Sequence, residues 1–290
     1  MPFAYLIDVR EHARLTFPPA RACVPSWNTY AEEGTLSLRV LRGGEACTPW
    51  LPFARWSPHE RRSLSPRWDD LRVETDVIRG EDPFDGIELH AAGVEFSLLA
   101  AATPWETRPS LPYLGPARIL DVPQRSQYVR DDERGWCSAA SLSMLHAYWK
   151  VDASVEEVAA GVYDAAYRGT GNWSFNVAFS GARGLRAAVA FLRNLDHAQR
   201  LIERSIPLAL SYDWEEGELP GAPLPRSDGH LAVLCGFTAN GDCAVNDPAA
   251  PAIRCVYPRA ALERVWLRHG GIVYATAPAG VPLLEVLAEP

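Results

Sequence analysis

Cys137 stands where a polar loop, YVRDDERGW, gives way to an apolar, helix-like run, CSAASLSMLHAYW. A cysteine attacks a carbonyl carbon only as the thiolate, and a helix N-terminus, a neighbouring imidazolium and partial exposure all favour that form. The position supplies the first of these, because the unsatisfied N–H groups of a first helical turn attract negative charge. Arg134, close by in sequence, would add to it. The base is sought further on. His230, in SDGHLAVLCGF, heads a strand pattern, where an imidazole is firmly held yet reachable. That ring needs an acceptor to set its tautomer and stabilise its charged form. GDCAVNDPAAP ends another strand at Asn246–Asp247–Pro248. Two antiparallel strands joined by the TANG turn would bring Asp247 beside His230. Asn246 is its rival, since side chains alternate along a strand and only one of the two faces the site. Acyl chemistry also needs hydrogen-bond donors for the oxyanion. The backbone N–H of Cys137 is one; the side-chain amide of Gln127 is the other, with Gln124 as the alternative.

These residues run in the chain order Gln, Cys, His, Asp. Three blocks, LDVPQRSQY, WCSAASLSMLHAYW and GHLAVLCGFTANGDCAVNDP, resemble the papain-like C39 peptidase superfamily, in particular its stand-alone C39-like proteins. The resemblance runs over about residues 117–275. It implies that Cys137 is the nucleophile, His230 the general base and acid, Asp247 the orienting carboxylate and Gln127 the oxyanion-hole amide. It implies peptide bonds as the substrate class. Where the family often has Cys-Gly-Pro-Ala, this chain has Cys137-Ser138-Ala139-Ala140, which leaves the backbone donor intact. No phosphate-binding G-x-x-x-x-G-K-[ST] loop is present, which sets the chain apart from the transporter-fused, leader-cutting members.

The elements that must position these residues differ between the two parts of the chain. The first third reads as β: GTLSLRVLR alternates Leu36, Leu38 and Val40 with Thr35, Ser37 and Arg39. DDLRVETDVI and GIELHAAGVEFSLLAA are further strands between turn-rich segments, which together suggest a sandwich. In such a domain Trp27, Trp50, Trp56 and Trp68 are expected to fill the core. This segment also resembles the β-rich part that precedes the C39-like domain in some bacterial proteins. TPWETRPSLPYLGP, over 103–116, reads as a proline-stiffened linker. Beyond it, Ser154 and Glu157 form a capping-box pattern opening a helix. GLRAAVAFL and DHAQRLIERS read as helices, and GNWSFN as a loop whose Trp173 lines a cleft. PLALSYD, HLAVLCGF, DCAVND, IRCVY and GIVYATA read as strands. The expected fold class is therefore α+β: a papain-like cysteine peptidase domain at 117–290, preceded by an all-β sandwich-like domain at 1–112 with a ligand-binding or accessory role.

Composition limits the functions. With 290 residues and a formal charge of −8, a nucleic-acid partner is not expected. No apolar run reaches the ~20 residues of a membrane span, and the N-terminus lacks a basic and then apolar signal pattern, so the expected location is cytoplasmic. The six cysteines show no C-x-x-C pair, and His12, His59, His90, His146, His197 and His269 share no ligand spacing. No metal and no cofactor is expected. His146 shares the helix of Cys137 but lies roughly 13 Å along it, a poor base. Two other readings stand beside the cysteine hydrolase: an acyl transferase or deamidase on the same constellation, and a binding protein whose papain-like domain has lost its chemistry. The oligomeric state is not legible.

Overall fold

The computed structural model describes residues 1–113, 115–129 and 135–289. The first half is one antiparallel sheet. Its strands are β1 (Phe3–Thr29), β2 (Gly34–Arg42), β3 (Glu45–Ala46), β4 (Leu51–Trp56), β5 (Arg61–Ser63), β6 (Arg67–Trp68), β7 (Leu71–Glu74) and β8 (Val77–Ala102). They run in the order β5-β4-β2-β8-β7-β6, with β1 on β8 and β3 on β2. In β2, Leu36, Leu38 and Val40 are buried while Thr35, Ser37 and Arg39 face outward, as period-2 patterning requires. The long strands β1 and β8 pair twice. Phe3 and Val24 both stand opposite Ala102, so the two ends of β1 flank the same end of β8 and the sheet folds over on itself. The enclosed sandwich-like core holds Trp27, Phe53, Leu36 and Phe96.

Trp27 and Trp56 are buried there, but Trp50 and Trp68 are exposed, against expectation. Trp68 sits on the two-residue edge strand β6, where no layer covers it. Trp50 lies on the polar face beside the His12 and His90 rings, with the Arg39 guanidinium 4.8 Å from its ring.

The second half contains β9 (Arg118–Ile119), α1 (Cys137–Tyr148), α2 (Val155–Val162), α3 (Trp173–Gly181), β10 (Arg186–Phe191), α4 (Leu195–Glu203), β11 (Leu208–Trp214), β12 (Ser227–Phe237), β13 (Cys243–Asn246), β14 (Arg254–Tyr257), α5 (Arg259–Arg268), β15 (Ile272–Ala277) and α6 (Leu283–Ala288). Its antiparallel sheet runs β10-β15-β11-β12-β13-β14, with β9 on β12. The Ser154–Glu157 capping box opens α2, with both reciprocal bonds made. The architecture is α+β, and among the described residues no helix is long and apolar enough to cross a membrane.

Two expectations are corrected. GLRAAVAFL is the strand β10, not a helix. Ala187–Phe191 are buried without a break, so the run carries no 3.6-residue period, and it pairs with β15 from Arg186–Ala277 to Phe191–Ile272. Side chains of β1 satisfy its open edge: Asn28 Oδ1 accepts from the Ala187 N–H at 2.9 Å, and Asn28 Nδ2 donates to the Ala187 carbonyl at 2.9 Å. GNWSFN is not a loop throughout. Asn172 caps α3 by accepting from the Phe175 N–H, and Trp173 is the first helical residue.

The two halves share a seam. Along β1 and β8, alternate side chains enter different cores: Trp27, Leu99 and Ala101 the first, Val24, Leu98 and Ala100 the second. The helix α3 approaches β1 so closely that a Cβ on Gly181 would lie 2.3 Å from Asn28 Cβ.

Candidate active site

Trp136 occupies the N-cap of α1 and makes no side-chain cap bond, and no acidic residue lies in the first turn. The first intrahelical bond of the turn runs from the Ala140 N–H to the Trp136 carbonyl, 2.9 Å. The N–H groups of Cys137, Ser138 and Ala139 ahead of it have no acceptor within the helix, and Cys137 and Ser138 line a cleft. Arg134, expected to add charge, lies outside the described residues.

The helix is buried on every side rather than along one stripe. Most of its polar side chains find partners inside the core, though the buried His146 Nδ1 has none among the described residues. Ser138 Oγ donates to Asn176 Oδ1 at 3.0 Å and lies 2.9 Å from the Tyr274 hydroxyl. Ser143 Oγ donates to the Ala153 carbonyl at 2.6 Å, and His146 Nε2 meets Ser180 Oγ at 2.8 Å. Most relevant is Ser141, one turn beyond Cys137. Its hydroxyl donates to the Leu231 carbonyl at 3.0 Å and so ties the helix to the residue next to His230. A small hydroxyl inside an apolar helix was the only sequence signal of this tie.

His230 sits near the start of β12, directly opposite Tyr212 on β11. The rings of Tyr212 and Trp214 stand edge-on to the imidazole, with centroids 5.7 and 5.4 Å away. His230 Nε2 lies 2.9 Å from Asp247 Oδ1. That leaves Nδ1 unclaimed by Asp247, and Cys137 lines the same cleft as His230. Asp247 is fully buried. Its Oδ1 also accepts from the Ala249 N–H at 2.9 Å and its Oδ2 from the Tyr257 hydroxyl at 2.7 Å.

Asn246 is turned away. Its Nδ2 donates to the carbonyls of Val122 and Pro123 at 3.1 and 3.3 Å, and its Oδ1 accepts from Arg254. Gln124 is exposed, and its Oε1 accepts from the Arg254 N–H at 3.2 Å. Gln127 is buried, and its backbone N–H donates to the Pro248 carbonyl, one residue past Asp247, at 2.9 Å. Its Oε1 has no hydrogen-bond partner among the described residues, and it is not among the residues that line the cleft.

The electrostatics separate Cys137 from the other five thiols. Burial pushes Cys23, Cys47, Cys235, Cys243 and Cys255 up. Burial also pushes Cys137 up, but the hydrogen bond and charge of His230, followed by the backbone amides of Leu231 and Ser138, outweigh it, and the net direction is down. For His230 burial lowers the pKa. The charge of Asp247 and its hydrogen bond, with Cys137 behind them, raise it overall. Asp247 is held below its usual range, chiefly by His230 against the cost of its own burial. The arrangement therefore favours a thiolate–imidazolium pair on a fixed carboxylate.

Cys137 and His230 open into a cleft of about 720 Å³. Its walls come from Gly135–Ser138, Tyr167–Gly171, Asp228–Leu231 and, from the first half of the chain, the β7–β8 turn Glu74–Val77. In that turn Asp76 is buried and caps α3, its Oδ2 accepting from the N–H groups of Trp173 and Ser174 at 2.6 and 3.2 Å. Burial pushes its carboxyl up to about 7 despite those bonds. Asp76 drew no notice in sequence, because nothing local to it announces a contact with residues almost a hundred positions away.

The Peptidase_C39 like family model matches residues 119–274, a little over half of the chain. Two solved structures are similar. One is a protein from Bacillus anthracis assigned as a C39-like peptidase, 15% identical, with 56% of this chain and 98% of that one covered and a TM-score of 0.45. The other is a double glycine motif protease from an AMS/PCAT transporter in complex with the leader peptide, 21% identical, with 59% and 100% covered and a TM-score of 0.40. No curated protein matches the chain. With more than half its length matched by that model, the chain belongs to the Peptidase_C39 like family, a family of papain-like fold.

Proposed function

We propose that this protein is a cysteine peptidase or related amide hydrolase that works through Cys137, His230 and Asp247. The reading rests above all on one observation: of six thiols, the one drawn toward the thiolate is the one that shares an open cleft with a carboxylate-held imidazole. The thiolate of Cys137 attacks the carbonyl carbon of a peptide or protein substrate, and the carbonyl π electrons move to oxygen. The oxyanion is met by the backbone N–H of Cys137, which has no acceptor within α1, and, in this proposal, by the side-chain amide of Gln127, whose backbone is pinned to Pro248 beside Asp247. His230 gives its proton to the leaving amine as the C–N bond breaks, which leaves a thioester. The now neutral imidazole takes a proton from water, whose oxygen attacks the thioester. The acid departs, and the thiolate and imidazolium are restored. Asp247 orients the ring and stabilises its charge throughout.

Residues 1–112 act in this reading as an accessory domain that walls the cleft through the turn Glu74–Val77. The test is hydrolysis of a proteome-derived peptide library, read by mass spectrometry, with the full chain and with Cys137→Ala. The expected result is a defined set of cuts with the wild type. In the variant they fall to background, a loss on the order of 10⁴ or more, with circular dichroism and Tm unchanged. A variant that still cuts would place the nucleophile elsewhere.

A further inference from the structure

A second cavity, about 380 Å³, lies between the β-rich half and α3 and shares no lining residue with the catalytic cleft. Its floor is aromatic: Trp27 and Trp56 from β1 and β4, Phe175 and Phe179 from α3. The Trp27 ring lies 5.7 Å from Trp56 and 5.8 Å from Phe175. Trp56 Nε1 already donates to the Ala31 carbonyl at 2.9 Å, so the floor presents carbon rather than free polar groups.

At the rim stand two arginines. Arg61 opens β5 and Arg183 follows α3. Among the described residues neither has a carboxylate within ion-pair distance, and Arg183 sits over the Phe179 ring, its Cζ 3.6 Å from the centroid. Arg61 is partly buried, and its guanidinium is pushed down by that burial and then by the charge of Arg183. A guanidinium removed from water beside a like charge is costly unless an anion joins it. Among the described residues the one acidic lining residue is Glu32, exposed and bonded to neither arginine, so their formal charge sums to +1. That balance suits a monoanion better than a phosphate dianion.

We propose that this cavity binds a small carboxylate bearing an aromatic group, the ring on the tryptophan–phenylalanine floor and the carboxylate between Arg61 and Arg183. A planar guanidinium fork matches a carboxylate with two parallel hydrogen bonds, and the volume falls in the ordinary range of small-molecule sites. The proposal stands whether or not Cys137 is a nucleophile.

The test is calorimetric titration of the full chain with 3-phenylpropionate, with its neutral analogue 3-phenylpropanamide and with inorganic phosphate. The acid is expected to saturate, and the amide and phosphate to bind at least ten-fold more weakly. Arg61→Gln and Arg183→Gln should each weaken the acid at least ten-fold. Arg183 is exposed, so its variant keeps the test decisive if Arg61→Gln fails to fold. Absence of saturable binding, equal binding of acid and amide, phosphate binding as tightly as the acid, or an affinity unmoved by the arginine variants would overturn the proposal.

Discussion

His230 Nε2 and Asp247 Oδ1 lie 2.9 Å apart, although 17 positions separate the residues in sequence. The carboxylate in that pair has little freedom. It is fully buried, and the Ala249 N–H and Tyr257 hydroxyl occupy its remaining directions. A buried charge held by three donors cannot swing away, so the imidazole it holds keeps one orientation, with Nε2 on the carboxylate and Nδ1 left for another partner. Ser141 fixes the other side by tying α1 to the Leu231 carbonyl.

The pH dependence of Cys137 alkylation follows from these contacts. Its thiol is moved down, chiefly by His230 against the push of burial, so the thiolate exists at lower pH than in an ordinary cysteine of pKa about 8.5. Iodoacetamide should label Cys137 ahead of the other five thiols, with a midpoint below that value. His230→Ala removes the lowering partner and leaves burial, so its midpoint should move up by at least one pH unit. Asp247→Asn should shift it in the same direction, because the imidazolium loses the charge that raises its own pKa. Peptide mapping of labelled protein across pH measures both; coincident profiles for wild type and His230→Ala would refute the pairing.

Gln127→Ala tests the oxyanion role proposed for a buried side chain that is not among the residues lining the cleft. Loss of one oxyanion donor costs on the order of 10²–10³ in kcat, while the alkylation profile of Cys137 should stay where it is. A kcat unchanged on a peptide substrate would assign the second donor to another group.

Tyr257→Phe deletes one hydroxyl and leaves Asp247 Oδ2 buried without its donor. A hydrogen bond to a charged group contributes about 1.5–3 kcal/mol, so Tm should fall by several degrees and kcat with it. Thermal unfolding and steady-state kinetics read the two effects. An unchanged Tm would mean that another donor reaches that oxygen.

Asp76→Asn tests the seam between the halves. The wild-type carboxyl titrates at about 7 when folded, raised by burial, against about 4 when unfolded. Between those values the folded state binds the extra proton, so stability declines as pH rises from 4 to 7. Asparagine still accepts from the Trp173 and Ser174 N–H groups but does not titrate. The variant should therefore lose this part of the decline and have a Tm above wild type at pH 8. Tm measured from pH 4 to 8 for both proteins checks it; parallel curves would contradict the burial argument.

Some features follow from residues near one another in the chain. The alternation of β2, the capping box of Ser154 and Glu157, and a helix beginning at Cys137 depend on neighbours within a few positions, so the sequence alone determined them. The choice between Asp247 and Asn246 was not of that kind. Counting alternate residues from His230 fails, because the β12–β13 register slips between Leu234 and Gly236. Gly236 takes φ +153° there, where a Cβ would lie 1.9 Å from the Arg118 carbonyl oxygen of β9. One slipped residue exchanges the faces of every residue beyond it, and the slip depends on a strand more than a hundred positions upstream. The strand state of β10 was likewise decided by β15 on one edge and the side chain of Asn28 on the other. The placing of Asp76 in the cleft wall was decided by α3, whose Trp173 and Ser174 N–H groups it accepts. Contacts between distant parts of the chain settle which face a side chain presents, and only the folded chain brings those parts together.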